Sequence, residues 1–547
     1  MKRILAAALC AILLACGSTA VYAVDDDLAL LFKYPLSSSG EAAVNDVSFS
    51  GSEAVSDSHR VFYEIFVGSF SDSDGDGIGD LRGIINRMDY LNDGDPASGL
   101  SLGVEGLWLT PVFLSPSYHK YDVTDYYTVD PAFGTNDDLR ELCALCHERD
   151  VKVILDLPIN HTGSQNRWFK NFLNAHMMHS PDNIWYDFYV WRTGADPLPA
   201  GRHFAKVRNQ DLLYEANFSD DMPELNFDNE RVFEAVLDVA RYWLRLGVDG
   251  FRFDAAKYVY LNDHTGSVAF WSRYLDALRA DWPDMYTVAE VWDSDGITDQ
   301  YLPVMNCFNF TTSQASGLIA ETAAGGDVNR YAAYLESMQK RIRAINPDAM
   351  NIPFIANHDT DRAAGYLTVA SGRMQMAANL YLLSPGSPFI YYGEEIGLRG
   401  SRGGANTDAN RRLAMVWGDG DTVRDPVGAT YTHQTDYGVS RQKGRSDSPY
   451  TYYKRLLMIR KAYPEIARGT LKALSFANTK VGGYACEWQG STVVVLHNTT
   501  ERTLSVPVDG ALVLCDSIGA GGASLADGVC TLDSQTSAIL RPVGTTR

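Results

Sequence analysis

The chain of 547 residues is 46% hydrophobic and 21% charged, and its 30 Tyr, 22 Phe and 10 Trp provide large rings for burial or stacking. At roughly 100–200 residues per domain this length predicts three to five domains, and the composition excludes disordered and collagen-like architectures. Its 68 acidic and 47 basic residues give a net charge of −21, which repels phosphate backbones and anionic headgroups. We therefore exclude nucleic acid as a partner and expect a neutral ligand or a cation.

The N-terminus predicts export. Lys2 and Arg3 precede an apolar stretch, 4–15, that is too short for the roughly 20 residues that span a bilayer. The stretch ends in Leu13-Leu-Ala-Cys16-Gly17, which resembles a bacterial lipoprotein signal (residues 1–15) with a lipid-modified Cys16. This resemblance implies a protein of the bacterial cell envelope that associates with a membrane through its lipid anchor only. An ordinary signal peptide with an incidental cysteine is the alternative.

The segment 16–57 is rich in Ser, Ala, Gly and Asp, which predicts a tether with local order around Leu28–Pro35. After this segment, strand patterns alternate with helical ones. Helical patterns begin near Leu81 and cover about Asp137–Glu148 and Tyr452–Ala462. The candidate strands are Val61–Val67, Val104–Thr110, Val151–Leu157, Val248–Phe253, Tyr286–Val291, Phe308–Phe310, Ile352–Ala356 and Phe389–Tyr392. Runs that are apolar on both faces and joined by helices indicate a parallel sheet covered by helices, so these eight predict a closed (β/α)8 barrel.

The predicted fold class is therefore α/β: a TIM barrel with a small inserted domain after the third strand and a C-terminal antiparallel β-sandwich domain. The barrel covers 58–161 and 229–465. The segment between them, 162–228, is rich in aromatic residues without a helical period and predicts the inserted domain. Hairpin-like strands separated by Gly and Asn turns predict the β domain over 466–547.

The cysteines raise two separate hypotheses. Cys515 and Cys530 stand where neighbouring strands are predicted, and an oxidising envelope would permit a disulfide between them. Cys143-Ala-Leu-Cys146-His147 matches the C-x-x-C-H pattern of covalent haem attachment. However, Leu139, Leu142 and both cysteines recur at helical spacing, which favours a buried stripe of a helix over a haem site.

Four acidic residues end predicted barrel strands: Asp156, Asp254, Glu290 and Asp359. Barrel enzymes place their catalytic groups at this end of the strands. Arg252 lies two residues before Asp254 and therefore on the same face of its strand. Several carboxylates at one barrel mouth beside an arginine are the arrangement that glycoside hydrolysis uses, although each one alone could simply cap a helix.

Four segments carry a family resemblance: Asp156-Leu-Pro-Ile-Asn-His161, Gly250-Phe-Arg-Phe-Asp-Ala-Ala-Lys257, Val288-Ala-Glu-Val-Trp292 and Asn357-His-Asp-Thr-Asp-Arg362. They resemble the four ordered signature regions of the α-amylase family, glycoside hydrolase family 13, and the similarity runs from about residue 60 to the end. The resemblance implies that Asp254 is the nucleophile, Glu290 the general acid/base and Asp359 the carboxylate that stabilises the transition state. It also implies a set of substrate-binding residues, namely Tyr121, His161, Arg252, Lys257, His358 and Arg362.

A calcium ion is predicted near the first strand. The segment from Asp72 to Asp80 repeats the first nine positions of a calcium loop, but Gly83 stands where an EF-hand has its Glu, and a strand precedes the loop. The loop resembles a calcium site of many α-amylase family members, which implies a set of ligands comprising Asp72, Asp74, Asp76, Asp80 and the Ile78 carbonyl. A cluster of helix-capping Asx turns is the alternative.

The resemblance implies a second calcium site as well, with Asn160, Glu224 and the Tyr258 carbonyl as ligands. Two positions depart from the family pattern. Glu224 replaces the usual Asp, and Tyr258 replaces the usual His that follows Lys257. The occupancy of this site stays open at the level of sequence.

The motif Met222-Pro-Glu-Leu-Asn226 is similar to the Met-Pro-Asp-Leu-Asn type of an intermediate α-amylase group and of neopullulanase-like enzymes. It implies an endo-acting α-amylase that hydrolyses α-1,4-glucosidic bonds in starch, glycogen or maltooligosaccharides. The alternatives are a neopullulanase, cyclomaltodextrinase or α-glucosidase activity, a 4-α-glucanotransferase, and a non-catalytic glucan-binding lipoprotein. The segment Trp185–Trp191 could stack on glucan, but the alternation of Ile184, Tyr186, Phe188 and Val190 favours the core of the inserted domain.

Overall fold

The computed structural model describes residues 43–44, 46–47, 57–403, 407–508 and 510–544. The predicted signal peptide, the Cys16 lipidation site and most of the predicted tether lie outside these residues. Val44 and Val47, at the end of that tether, are buried, and the Val44 N–H donates to the Gly99 carbonyl at 3.1 Å. This part of the chain packs against the barrel, which differs from the prediction of a tether. No helix within the described ranges is long and apolar enough to cross a bilayer.

Seven parallel strands form the barrel sheet. In spatial order they are Asn306–Cys307, Tyr286–Ala289, Gly250–Phe253, Lys152–Leu157, Gly106–Leu109, Phe62–Ile65 and Phe389–Tyr391. The strands are buried along most of their length because helices cover the outer face and side chains fill the interior. The interior cluster includes Phe62, Trp108, Ile154, Val288, Phe308 and Phe389.

The barrel closes through a segment that is not a regular strand. Phe308 and Ile352 form a single parallel bridge, the Asn309 N–H donates to the Ile352 carbonyl at 3.0 Å, and the Phe389 N–H donates to the Pro353 carbonyl at 2.9 Å. The strands predicted over Phe308–Phe310 and Ile352–Ala356 are therefore wrong as regular elements. Pro353 provides one reason, because it has no N–H to donate to a ladder.

Helices follow the barrel strands and cover the sheet. The α-helices are Leu81–Asn86, Met88–Leu91, Asn136–Glu148, Arg167–Met177, Glu230–Leu246, His264–Arg279, Asp295–Thr298, Leu318–Ala323, Val328–Ile345, Ala363–Tyr366, Arg373–Leu382, Val439–Lys443, Pro449–Ala462 and Pro464–Arg468. Single 3-10 turns are Val67–Ser69, Ala256–Tyr258, Val369–Ser371, Glu394–Ile396 and Asp408–Arg411. The ends follow local chemistry: Thr135 and Asp138 form a reciprocal capping box, and Gly247 (φ 126°) ends Glu230–Leu246.

The helix Asn136–Glu148 contains the C-x-x-C-H pattern. Leu139, Leu142, Cys143 and Cys146 form its buried face, and Cys146 Sγ lies 3.9 Å from Met88 Sδ. Both thiols are packed in the core, which confirms the structural interpretation of this motif.

The segment 162–228 contains the helix Arg167–Met177 and a three-stranded antiparallel sheet. A separate two-stranded pair lies earlier in the chain, before this segment. The sheet comprises Trp191–Arg192, Leu213–Glu215 and Phe204–Lys206, and the pair comprises Phe113–Leu114 and Asp125–Val129. Phe188 is buried, as the core interpretation of this aromatic segment predicts, but Ile184 is 47% exposed and Tyr186 and Val190 are half-buried. Tyr189, on the other face of the predicted alternation, is fully buried, so the segment contributes to the core but the predicted alternation is wrong.

The C-terminal domain consists of two antiparallel sheets, as predicted. One contains five strands in the order Thr470–Leu474, Val481–Trp488, Ser491–Asn498, Thr536–Pro542 and Leu512–Gly519. The other contains Leu504–Pro507, Val529–Leu532 and Ala523–Ala526. Cys515 and Cys530 lie in different sheets and both are free thiols, so the disulfide hypothesis is not supported.

Candidate active site

The acidic residues at the strand ends converge on one mouth of the barrel. Asp156 lies within Lys152–Leu157, Asp254 and Glu290 each directly follow a barrel strand, and Asp359 follows the closing segment around Ile352. The carboxyl ends of parallel strands meet at the same face of a barrel, which is why residues far apart in sequence become neighbours.

The Arg252 guanidinium holds three of these carboxylates. Its Nη1 lies 2.7 Å from Asp156 Oδ1 and 2.6 Å from Asp254 Oδ1, and its Nη2 lies 3.1 Å from Glu290 Oε2. Arg252 pairs with Asp156 and with Val288 in the strand register, so its side chain points into the barrel mouth from the centre of the sheet. Because one guanidinium contacts both Asp254 and Glu290, these two carboxylates are held close together.

The surroundings of Glu290 favour its acid form. Burial, together with the charges of Asp254 and Asp359, raises the pKa of its carboxyl in spite of the opposing charge of Arg252. Its Oε2 also accepts the Ala255 N–H at 2.9 Å. Ala255 adopts a left-handed conformation (φ 47°), which is uncommon for a residue with a Cβ and aims its N–H at Glu290. The carboxyl therefore has a fixed position and a raised pKa.

Asp359 is held in its ionised form. Burial acts to raise the pKa of its carboxyl, but His358 and Arg412 outweigh this and lower the pKa well below its usual range. His358 Nε2 lies 3.0 Å from Asp359 Oδ2, and Arg412 Nη2 lies 2.9 Å from Asp359 Oδ1. The pKa values of Asp359 and Glu290 are therefore shifted in opposite directions.

His358 connects the cavity floor to the barrel interior. Burial acts to lower the pKa of its imidazole, but Asp359 and Glu64 outweigh this and raise the pKa to about 10. Its Nδ1 donates to Glu64 Oε1 at 2.6 Å, and Nε2 lies 2.6 Å from the Tyr121 hydroxyl. The Tyr121 hydroxyl in turn donates to Asp156 Oδ2 at 2.9 Å. Burial raises the pKa of Asp156 to about 7, with Arg252 opposing this.

His161 has the opposite charge state. Burial lowers the pKa of its imidazole to about 4, so the ring is neutral at neutral pH. Nε2 donates to the Tyr121 carbonyl at 3.2 Å, while Nδ1 is buried without a partner in the protein. The neutral ring therefore lines the cavity with no charge of its own, and its Nδ1 is an unpartnered buried acceptor.

The remaining two predicted substrate-binding residues differ. Lys257 faces the cavity, where its Nζ donates to the Trp292 carbonyl at 2.8 Å and to Asp293 Oδ2 at 2.9 Å. Arg362 does not line the cavity: it is 2% exposed, and it donates to the Tyr392 carbonyl at 2.6 Å and to the Arg411 carbonyl at 3.0 Å. Its predicted role in substrate binding is therefore not supported, because the guanidinium is used inside the fold.

A cavity of about 550 Å³ opens over these groups. Its lining includes six of the predicted catalytic and substrate-binding residues, namely Tyr121, His161, Asp254, Lys257, Glu290 and Asp359. Arg252 and His358 lie buried beneath it. It also includes residues that were not predicted, namely Tyr118, His119, Phe218, Trp292, Asp408 and Arg412. Phe218 and Trp292 are 45% and 41% exposed, so the cavity offers apolar ring faces beside its carboxylates, as carbohydrate sites do.

The loop from Asp72 to Asp80 has a donor set that fits calcium. Carboxylate oxygens of Asp72, Asp74 and Asp80 lie within 4.8 Å of one another, and within the described residues this is the one such group of three or more acidic, His or Cys side chains. Oxygen donors at this spacing suit Ca²⁺. Asp76 is not in this group, and its Oδ1 accepts the Ile78 N–H at 2.7 Å. The same loop contains Asx turns, since Asp72 Oδ1 accepts the Asp74 N–H at 3.1 Å.

At the second predicted calcium site, Glu224 is already engaged within the protein. In the described residues it belongs to no group of three or more acidic, His or Cys side chains that could share a cation, and its Oε1 accepts from Asn217 N and Nδ2 at 3.0 and 2.7 Å. Burial raises the pKa of Glu224 to about 7, and the neighbouring Glu215 adds to this. Asn160 Nδ2 is buried without a partner, and the Tyr258 ring packs edge-on to Phe218. A cationic side chain, Arg202, bonds to Glu215 instead.

Comparisons with known proteins agree with this geometry. The family model described as "Alpha amylase, catalytic domain" matches residues 64–469. Alpha-amylase 3 of Dictyoglomus thermophilum is 35% identical over 448 residues, which are 80% of this chain and 84% of that protein. A 4-alpha-glucanotransferase of Thermotoga neapolitana is 29% identical over 80% of this chain and 95% of that protein. The solved structure of Eubacterium rectale Amy13B superposes with a TM-score of 0.82 and 32% identity over 93% of this chain and 99% of that one.

Proposed function

The chain belongs to the α-amylase family, glycoside hydrolase family 13, and from this premise we propose that it is a retaining, endo-acting α-amylase that hydrolyses α-1,4-glucosidic bonds in starch, glycogen or maltooligosaccharides. One observation carries the proposal. The Arg252 guanidinium contacts Asp254 and Glu290 at once, which gives the close pair of carboxylates that a double displacement requires.

The first step needs an ionised nucleophile and a protonated acid. Arg252 stabilises the Asp254 carboxylate as it attacks the anomeric carbon, and Glu290 gives its proton to the departing glycosidic oxygen. The ionised Asp359 stabilises the positive charge that develops on the sugar ring in the transition state. After the leaving group departs, the sugar is bound to Asp254. The Glu290 carboxylate takes a proton from water as the water oxygen attacks the anomeric carbon and the bond to Asp254 breaks, which releases the product with its original configuration.

The surrounding residues orient the sugar at the cleavage point. Tyr121 presents its ring at the cavity floor, stacked parallel to His358 with ring centroids 5.6 Å apart. His358, buried beneath the floor with a raised pKa, holds Asp359 and the Tyr121 hydroxyl in place, and His161 forms part of the wall as a neutral ring. Lys257 lies on the side of the leaving group, next to Trp292.

The time course of products from starch, pullulan and maltotriose tests this proposal. We expect a rapid fall in iodine staining of starch with mixed maltooligosaccharide products, little release from pullulan, and slow cleavage of maltotriose. Release of panose or maltose from pullulan would instead indicate the neopullulanase or cyclomaltodextrinase alternative, and glucose alone from every substrate would indicate an α-glucosidase. The initial anomer of the product, measured by NMR, is expected to be α.

A 4-α-glucanotransferase is the second candidate. It would use the same carboxylates and differ in whether water or a sugar hydroxyl resolves the intermediate. The exposed rings of Phe218 and Trp292 at the cavity favour this candidate, because apolar ring faces bind a sugar acceptor better than they bind water. Products longer than the substrate at high maltooligosaccharide concentration would identify transfer.

We also propose that the loop from Asp72 to Asp80 binds one Ca²⁺. Bound calcium would neutralise the carboxylates of Asp72, Asp74 and Asp80, which otherwise repel one another, and would hold the loop between the first strand and its helix. Gly77 (φ 95°) gives the loop its turn, and a Cβ at this position would lie 2.9 Å from the Arg424 side chain. The loop also contacts the segment near Thr422, whose hydroxyl donates to Asp72 Oδ2 at 2.6 Å.

We expect EDTA to lower the thermal midpoint of the wild type by about 5 °C, corresponding to a ligand contribution of a few kcal/mol, and excess Ca²⁺ to restore it. Asp74→Asn should remove most of this response because it removes one ligand charge. Asp95→Asn, an exposed change in a nearby turn, is the control. A midpoint that EDTA does not move would support the Asx-turn interpretation.

The localisation is proposed from the N-terminal sequence. We infer that the protein is exported to the bacterial cell envelope and anchored through a lipid on Cys16. Mass spectrometry of the mature N-terminus and fractionation of a Cys16→Ala variant test this. An unlipidated N-terminus in the membrane fraction would contradict it.

A further inference from the structure

Two buried carboxylates lie where the inserted segment meets the barrel. Glu215 is 1% exposed and Glu224 is 5% exposed, and the Glu224 N–H donates to the Glu215 carbonyl at 2.9 Å, so the two residues stand on neighbouring extended segments. Asn217 Nδ2 bridges them, 2.8 Å from Glu215 Oε1 and 2.7 Å from Glu224 Oε1. An amide neutralises no charge, so the pair can carry two negative charges only beside a cation.

Arg202 supplies that cation. Its Nη1 lies 3.0 Å from Glu215 Oε2, and its Nη2 donates to the Leu261 carbonyl at 3.2 Å. Glu215 belongs to the inserted segment, whereas Leu261 belongs to the barrel loop that follows Gly250–Phe253. One guanidinium therefore joins the two parts of the chain with a charged bond and a carbonyl bond, which are the two kinds of oxygen that a calcium ion would otherwise collect.

The position of this contact affects the catalytic cavity. The loop that carries Leu261 also carries Lys257 and Tyr258, which line the cavity. On the other side, Glu224 forms an antiparallel bridge with His161, which lines the same cavity. The contact of Arg202 thus lies behind two walls of the site.

We propose that Arg202 is a built-in cation of this junction, beside the Asn160, Glu224 and Tyr258 positions predicted for the second calcium ion: it is a positioning residue that fixes the inserted segment to the barrel by pairing with Glu215 and the Leu261 carbonyl. The junction then needs no metal, and within the described residues we expect calcium to act at the Asp72 loop alone. This inference does not depend on which glucan the enzyme cleaves.

The first arm of the test uses the protein with Arg202 in place. In an Asp74→Asn background, which weakens the Asp72 loop, we expect EDTA and 5 mM Ca²⁺ to give the same thermal midpoint, and metal analysis of the wild type to find one calcium per chain. A second calcium per chain, or a midpoint in this background that still rises by several degrees with Ca²⁺, would overturn the proposal.

The second arm removes the guanidinium. In the same background, Arg202→Met should lower the midpoint in EDTA by about 5 °C, because two buried carboxylates lose their cation. Added Ca²⁺ should restore most of this loss, since the vacated space then offers carboxylate and carbonyl oxygens. Arg202→Lys should stay within about 2 °C of the parent and remain insensitive to calcium.

Matched variants separate this role from a general packing effect. Arg192→Met lies in the same cleft, where Arg192 donates to the Trp191 carbonyl, and it should produce no calcium response. If Arg202→Met does not fold in EDTA, the double variant Arg202→Met/Glu215→Gln should fold without calcium and show no calcium response, because the unpaired charge is gone. A calcium response in Arg192→Met, the absence of one in Arg202→Met, or one that persists in the double variant would contradict the proposal.

Discussion

Asp254→Asn is expected to lower kcat on soluble starch by at least about 10⁴-fold, which would be the largest loss from any single substitution in this chain. The amide has nearly the same shape as the carboxylate and can still contact Arg252, whose Nη1 lies 2.6 Å from Asp254 Oδ1. It cannot attack the anomeric carbon, because it has no negative charge to give to the new bond. Substrate binding should change little, so KM should stay within severalfold of the wild-type value.

The control for this variant lies at the opposite end of the same strand. Asp249 directly precedes Gly250–Phe253 and pairs with His147 and Lys152, far from the cavity lining. Asp249→Asn should lower the thermal midpoint and leave kcat within about threefold of wild type. Activity of Asp254→Asn within tenfold of wild type, in a preparation shown by mass spectrometry to be free of deamidation back to Asp, would refute the assignment of the nucleophile.

The barrel could be predicted from sequence where its strands are regular. Val151–Leu157 and Val248–Phe253 are apolar runs beside helical patterns, and the structure places strands at Lys152–Leu157 and Gly250–Phe253. Around Ile352 the same kind of apolar run gives one bridge, because Pro353 lacks an N–H and the neighbouring chain offers only single hydrogen bonds. A short apolar run in the sequence does not show whether its backbone will form the regular hydrogen bonds of a β-strand with its neighbours.

Asp254 and Glu290 were predictable because each directly follows a strand, and the barrel brings strand ends together. Asp359 follows the irregular closing segment, and the sequence identified it through an apolar run that forms only one bridge. Arg412 could not be predicted as a partner of Asp359, because their contact joins two loops and follows no local sequence pattern. Glu64 had a signal that could have identified it: it is a carboxylate within the apolar strand Phe62–Ile65, and a buried charge requires a partner. The partner, His358, is 294 positions away and becomes evident only in three dimensions.

Arg362 shows the limit of transferring a role from a motif. It ends the segment Asn357-His-Asp-Thr-Asp-Arg362, which contributes Asp359 to the cavity. Its own guanidinium stacks 4.1 Å from the centre of the Tyr391 ring and bonds to backbone carbonyls. Arg362 therefore supports the loop that carries Asp359, and we expect its loss to act on stability before it acts on substrate binding.

Glu290→Gln is the second substitution with a large expected effect, about 10³-fold in kcat/KM on starch, since a sugar leaving group departs slowly without a proton donor. Asp284→Asn, an exposed change just before the strand that carries Glu290, is the control and should leave the rate within about twofold. A loss on starch of less than tenfold for Glu290→Gln would contradict its role as the acid.

The leaving group distinguishes loss of the acid from general damage to the site. A maltosyl fluoride needs no protonation, so kcat/KM of Glu290→Gln on the fluoride should fall less than about tenfold while kcat stays low, because the second step still lacks its base. Azide attacks without a base, so it should raise kcat of Glu290→Gln and give a glycosyl azide of retained configuration.

The pH profile of the wild type gives a second test. Its kcat/KM on starch should fall as pH rises through the raised pKa of Glu290, because the acid form is lost, and this fall should be absent with the fluoride. An equal loss on both substrates would instead mean that Glu290 holds the site together, because only an acid catalyst makes its own removal depend on the leaving group.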